Sequence, residues 1–258
     1  MIGYRISSGG GKDYSDVHAS YTVSIAGVLK ETSCSYYFWR NDPGKDVFIG
    51  DEISNCFGMF SQCYNFNNNV YIGNNAKNCA QMFQSCYDFN KPINIPQNVN
   101  DTTSMFYACT KFNQNVAIPD TPDIQCTHMF ESCLQLNQPI AIPNNAISTA
   151  FMFSSCRNLA QDFIIPKNVK SVGNMFINCE NYHGNIYINN VGLNAAGYHN
   201  MLKNTGFNRK NVYCNNLTNL MSTGTDSIIG NYISWTAMTN GYYNAFYNIY
   251  LFNNYNGT

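Results

Sequence analysis

Residues 89–109 read FNKPINIPQNVNDTTSMFYAC, and the pattern recurs at near-constant intervals on either side. Met-Phe stands at 59/60, 82/83, 105/106, 129/130, 152/153 and 175/176, and a degenerate copy, Met201-Leu202, closes a series with steps of 23, 23, 24, 23, 23 and 26 residues. Three residues after each Phe comes Cys63, Cys86, Cys109, Cys133, Cys156 or Cys179, with Thr205 in the last copy. A third column holds Phe66, Phe89, Phe112, Leu136, Leu159, Tyr182 and Phe207, and Asn follows it at 67, 90, 113, 137 and 208. A period of this length marks an array of repeats, in which one unit cannot bury its apolar face alone and its neighbours complete the core.

Each copy also contains a short alternating segment: Val70-Tyr71-Ile72, Ile93-Asn94-Ile95, Val116-Ala117-Ile118, Ile140-Ala141-Ile142, Phe163-Ile164-Ile165 and Ile186-Tyr187-Ile188. Apolar residues alternating with variable ones, many of them β-branched, predict a strand. Prolines 96, 119, 143 and 166 end four of these segments, as suits a residue with no N–H for a ladder. The MFxxC spacing places Phe and Cys on one face of a single helical or 3₁₀ turn. The expected fold is an α/β repeat: a solenoid of about seven 23-residue coils joined by a parallel β-sheet at roughly 4.8 Å per coil.

This array occupies 56–207 and leaves two flanks. Residues 1–55 hold the alternating run Tyr21-Thr22-Val23-Ser24-Ile25 and the aromatic run Tyr36-Tyr37-Phe38-Trp39, and are expected to form an N-terminal arm and a small β cap, a hairpin being one form of it. Residues 208–258 carry one charge beyond Lys210, Asp226, and a dense aromatic set: Tyr242, Tyr243, Phe246, Tyr247, Tyr250, Phe252 and Tyr255. So uncharged an aromatic tail either caps the last coil or forms an oligomerisation or docking surface.

Composition narrows the function. The formal charge is −1 and only 11% of the 258 residues are charged, so no positive field exists to hold a phosphate backbone or an anionic membrane, and no apolar window is long enough to span one. The missing charges are replaced by Asn, of which there are 41. Eleven cysteines raise disulfides and metals, but Cys56, Cys79 and Cys126 share their register with Thr102, Thr149 and Val172, which asks for a small buried side chain, not a ligand. Parallel Cβ vectors on stacked neighbours also fit poorly with disulfide geometry, and zinc spacings are absent. Buried free thiols are expected, with no metal and no cofactor. His18, His128, His183 and His199 are scattered, the Asp51-Glu52 and Asp120/Asp123 pairs fall in loops, and Gly11-Lys12-Asp13 lacks the remainder of a phosphate loop. No catalytic cluster breaks the repeat, and the chain is read as a non-enzyme.

The composite repeat FNxPIxIPxNVxxxxxMFxxCxx resembles the leucine-rich repeats of the BspA-like, Treponema-type surface proteins over about residues 56–207, with the Met-Phe and Phe112-Asn113-Gln114 elements closer to a branch in low-GC bacteria and their phages. The resemblance implies a leucine-rich-repeat-like solenoid used for adhesion or recognition, and no reaction. Members of that family are exported, whereas this sequence opens at Met1 without a signal segment. The expectation is therefore a virion surface protein, a phage fibre, tail or capsid decoration made in the host cytoplasm, with a bacterial surface adhesin lacking its export signal as the alternative. Its partners would be other virion proteins and a host cell-surface glycan or protein, with a homotrimer as one assembly.

A binding face is expected on the outward middle residues of the strands, Tyr71, Asn94, Ala117, Ala141, Ile164, Tyr187 and Tyr213. This strip suits a neighbouring subunit, a glycan stacked on tyrosine, or no partner at all.

Overall fold

The computed structural model describes residues 20–23, 33–188, 200–205, 210–214 and 247–251, with side chains over 33–188 and 200–205. The repeat period becomes vertical stacking. Phe38, Phe60, Phe83, Phe106, Phe130, Phe153 and Phe176 form one column in which successive ring centroids lie 5.2, 5.3, 5.5, 5.4, 5.6 and 5.8 Å apart. The planes are near-parallel, yet the centroids are farther apart than the ~4.8 Å of a parallel ladder, so the rings are slipped into the offset stacking that aromatic quadrupoles prefer. A second column, Phe66, Phe89 and Phe112, runs beside it at 5.9 and 6.0 Å and touches it within each coil, for example Phe83 to Phe89 at 4.3 Å. Where Leu159 shortens the second column, Phe163 packs against Phe153 at 4.8 Å and Phe176 at 5.0 Å and replaces the lost volume.

The MFxxC segment is not the helical turn that its spacing predicts; among the described residues there is no helix. Amides in it point alternately in two directions. Those of Cys56, Gly58, Phe60 and Gln62 donate to the carbonyls of Asn78, Ala80, Met82 and Gln84 in the next coil at 2.7–2.9 Å, whereas Met59, Ser61 and Cys63 close turns on Cys56, Gly58 and Phe60. The alternation is made possible by left-handed residues four apart: Tyr36 and Arg40, Gly58 and Gln62, Gln81 and Ser85, Ser104 and Ala108, continuing to Asn200 and Asn204, all with φ between 50° and 63°. A run of right-handed residues would have sent every amide back into its own turn. Parallel bridges Ser33↔Asn55↔Asn78↔Asp101↔Gln125↔Ser148↔Ser171 continue the ladder through every coil on this side.

The strand side is less regular than expected. Strands β1 (Ser20–Val23), β2 (Asp46–Ile49) and β3 (Val70–Tyr71) form one parallel sheet, and β4 (Phe163–Ile165), β5 (Ile186–Ile188), β6 (Lys210–Cys214) and β7 (Tyr247–Leu251) form another. Between them the segments 93–95, 116–118 and 140–142 keep alternating burial but lie outside any strand. Prolines account for this: Pro92 and Pro96, Pro119, and Pro139 and Pro143 remove ladder donors on one or both flanks of each segment. At the lower margin the Gln161 amide takes over, its Oε1 accepting the Ile140 N–H at 2.9 Å and its Nε2 donating to the Ile140 carbonyl at 3.1 Å.

The flanks also differ from expectation. β1 pairs with β2 in parallel, Tyr21 opposite Val47, so it is no hairpin. The coil that carries Cys34 and Phe38 repeats the Cys56 to Phe60 spacing and stacks on it, so repeat register crosses the expected boundary at 55/56. On the other flank β6 and β7 continue the parallel sheet, Tyr213 opposite both Tyr187 and Tyr250.

Candidate functional site

Ten of the eleven cysteines lie among residues with described side chains, and all are buried thiols outside any disulfide. Six of them form a donor column. The thiols of Cys63, Cys86, Cys109, Cys133, Cys156 and Cys179 donate to the carbonyls of Phe38, Phe60, Phe83, Phe106, Phe130 and Phe153 one coil back, at 2.9–3.1 Å. Every thiol for which a shift is resolved is pushed up, Cys34, Cys63 and Cys126 to about 12 by burial and Cys79 by its bond with the Cys56 thiol and then by burial, which disfavours the nucleophilic thiolate. In the other column Thr102 and Thr149 replace the thiol with a hydroxyl that donates to the Gln125 and Ser171 carbonyls. Among the described residues no group of His, Cys, Asp or Glu is arranged to hold a metal ion, and no helix is long and apolar enough to cross a membrane.

The asparagine column is likewise consumed by stacking. The Oδ1 atoms of Asn67, Asn90 and Asn113 accept the backbone N–H of Asn90, Asn113 and Asn137 at 2.9 Å each. Asp46, Asp51, Asp120 and Asp162 hold the next coil in the same way through the N–H of Asn69, Asn74, Asn145 and Asn185. The loop carboxylates are thus acceptors between coils as well as solvated groups. His128 pairs with Glu131, whose other carboxylate oxygen accepts from the Ser154 hydroxyl at 3.5 Å, and lies on the Phe151 ring at 4.6 Å, while His183 bonds the Asn181 carbonyl.

Of the strip expected on the strand side, Tyr71, Asn94, Ala117, Ala141 and Ile164 are exposed and Tyr187 is half-buried. Ile164 lies opposite Tyr187, and Tyr187 opposite Tyr213, in the parallel register. For Tyr213, Tyr247 and Tyr250 only the backbone position is described, and Tyr242, Tyr243, Phe246 and Phe252 lie outside the described residues. Tyr71, 51% exposed, does not stand alone: Phe48 stacks on it at 4.4 Å with 6° between the planes. That partner was readable in the alternation of Val47-Phe48-Ile49, one step before the series considered above.

Large exposed apolar residues are unevenly distributed. Tyr36, Tyr37, Trp39, Phe48, Tyr64, Tyr71 and Tyr87 all belong to the first three coils, and Ile164 is the single further one among the described residues. Tyr64 and Tyr87 stack at 5.1 Å in an exposed ladder of their own. Next to Tyr64 opens a cleft of about 480 Å³ lined by Arg40, Asp42, Gln62, Cys63, Tyr64 and Asn65. It exists because the Phe38 coil has Asp42-Pro43-Gly44 where the following coil has Tyr64-Asn65-Phe66, so two rings are missing from the pile. Arg40 Nε donates to Gln62 Oε1 at 2.6 Å, and the Arg40 guanidinium lies over the Trp39 ring at 4.5 Å.

No curated protein and no solved structure shows detectable similarity to the chain. The family described as Mycoplasma protein of unknown function, DUF285, matches residues 46–142, 96–190 and 124–215 in three overlapping registers, as an array with a short period should. These matches begin at β2 and run to β6, across two thirds of the sequence, and the chain belongs to that family of repeat proteins.

Proposed function

We propose that the chain is a non-enzymatic recognition protein, a leucine-rich-repeat-like solenoid of the BspA type displayed on a virion as a fibre, tail or capsid decoration for host attachment. The observation that carries this reading is the division of labour between buried and exposed groups. Thiols, asparagines and aspartates, the residues from which a catalytic centre would be built, are engaged coil to coil. The exposed aromatic residues, the kind that anchor interfaces, gather instead on the first three coils. A pile of repeats is a rigid support for such a surface, since each coil fixes its neighbours on both sides.

The family's description names Mycoplasma proteins, and this favours a second setting, the surface of a bacterial cell. Antibody against the purified chain separates the two: gold label on particles supports the virion setting, and label on intact cells the bacterial one. Recognition itself is tested by binding of the fluorescently labelled chain to candidate cells. Saturable binding that falls with Phe48→Ala and Tyr71→Ala, or with variants of the Tyr64 ladder, supports the reading. Absence of saturable binding to bacterial and animal cell panels contradicts it.

A further inference from the structure

We infer that the cleft between the Phe38 and Phe60 coils is a binding site for a neutral sugar, a hexopyranose at the end or on a branch of a surface glycan. The inference rests on the recognition reading above and gives it a site and a ligand class. Three features converge.

The first is an aromatic face with no aromatic partner among the described residues. Tyr64 is covered on one side by Tyr87, at 5.1 Å with 17° between the planes. Its other side is turned toward the preceding coil, where the equivalent position is Asp42, and there the cleft opens. The apolar C–H face of a pyranose fits as the next layer of this stack, with its hydroxyls directed at the cleft walls. Phe48 and Tyr71 stack on one another in the same way, but neither lines this cleft.

The second is the balance of polar groups. Arg40 and Asp42 face the same space, and among the described residues no salt bridge joins them. An anionic ligand would meet the Asp42 carboxylate and a cationic one the Arg40 guanidinium, whereas sugar hydroxyls donate to the first and accept from the second. Arg40 Nε and the Tyr64 hydroxyl both bond Gln62 Oε1, at 2.6 and 3.4 Å, which fixes the Gln62 amide and directs its Nε2 donors elsewhere. Asn65 adds a planar donor–acceptor pair.

The third is size and support. At about 480 Å³ the cleft lies in the ~300–1,000 Å³ range of small-molecule sites. Its floor is fixed: Cys63 is buried and its thiol is held on the Phe38 carbonyl at 2.9 Å, so the walls stand on the ladder that orders the whole pile.

The test titrates the full chain with neutral hexoses and N-acetylhexosamines and their methyl glycosides by saturation-transfer NMR and calorimetry, beside sialylated and uronic-acid glycans. The expected result is binding of a neutral sugar, weakened about tenfold or more by Tyr64→Ala and by Asp42→Asn, and unchanged by Lys167→Ala, an exposed residue far along the array. Tyr64 is 44% exposed, so its truncation leaves the core intact, and an unchanged melting temperature verifies this. Binding confined to anionic glycans, or binding insensitive to both Tyr64→Ala and Asp42→Asn, overturns the inference. If cells are bound but no neutral sugar is, the cleft assignment falls and the recognition reading stands; if neither is bound, both fall.

Discussion

Replacing Phe106 with alanine removes a ring at the middle of the pile. Phe106 is fully buried and touches Phe83 at 5.5 Å, Phe130 at 5.4 Å, Phe112 at 4.5 Å and Phe89 at 6.3 Å. Phe→Ala in a core that cannot collapse costs about 3–5 kcal/mol, and the loss of aromatic pairs worth about 0.5–1.5 kcal/mol each places this site in the upper half of that range. Collapse is prevented because the backbone on both sides is pinned: Phe106 N–H donates to Met129 O at 2.8 Å and Phe83 N–H to Met105 O at 2.9 Å. Phe38→Ala, at a ring that keeps 6% exposure, stacks on Phe60 at 5.2 Å and meets Tyr37 on its flank, should cost less, about 2–3 kcal/mol. Urea unfolding followed by far-ultraviolet circular dichroism gives both values, and in a one-dimensional array the interior change should also lower the denaturant slope by splitting the cooperative unit. A Phe106→Ala protein within about 1 kcal/mol of the parent, or one less affected than Phe38→Ala, would refute the stacked column.

Gly58→Ala should destabilise by about 1–3 kcal/mol, because φ is +59° and the new Cβ would lie 2.5 Å from the Tyr36 ring, whereas Gln81→Gly at φ +57° should be neutral or stabilising by up to about 1 kcal/mol; thermal melts check both. Ellman's reagent should find the ten described thiols silent in the native chain at pH 8 and reactive in urea. The raised folded-state pKa values of Cys34, Cys63 and Cys126 fix the sign of an alkaline effect: the folded state keeps these protons above pH 9 while the unfolded chain loses them, so stability is full below about pH 8.5 and falls toward pH 12, by up to about 1.4 kcal/mol per pH unit for each of these thiols, readable as a declining urea midpoint. Asn90→Ala removes the acceptor of the Asn113 N–H and of the Gln114 amide and should cost about 1–2 kcal/mol by urea titration, with Asn90→Asp, which keeps the acceptor, costing less.

Much of this fold was legible as spacing. Phe, Cys and Asn columns a fixed period apart land on top of one another because side chains that recur in register share one place in each coil. The backbone that carries them was harder to read. MFxxC has a helical spacing, and nothing in residue identity marks Gln62, Ser85 or Ala108 as left-handed, since neighbouring coils rather than propensity impose that conformation. The cysteines were readable as small and buried, but their service as donors to Phe carbonyls one coil back depends on which lone pairs the turns leave unused. Proline position predicts where a strand ends, but prolines flanking the short segments from 93 to 142 leave no regular strand between them. The Phe38 coil is hard to see in the sequence because Tyr37 and Asn41 stand in place of Met and Cys, although Cys34 keeps the four-residue spacing to the ring. That same departure from the repeat makes the cleft at Tyr64, and a site created by missing side chains has no motif of its own.

Distances between spin labels along the strand side test the stacking most directly. Labels on cysteines introduced at Thr22, Tyr71, Ile164 and Tyr187 are separated by whole numbers of repeats; the ten described thiols are too buried to compete for the label, and Cys214 is replaced by serine. At about 4.8 Å per coil, double electron–electron resonance should give roughly 19 Å for 71/164, 24 Å for 71/187 and 34 Å for 22/187, rising linearly with repeat number. Separations that do not increase by one rung per repeat would contradict the pile of coils.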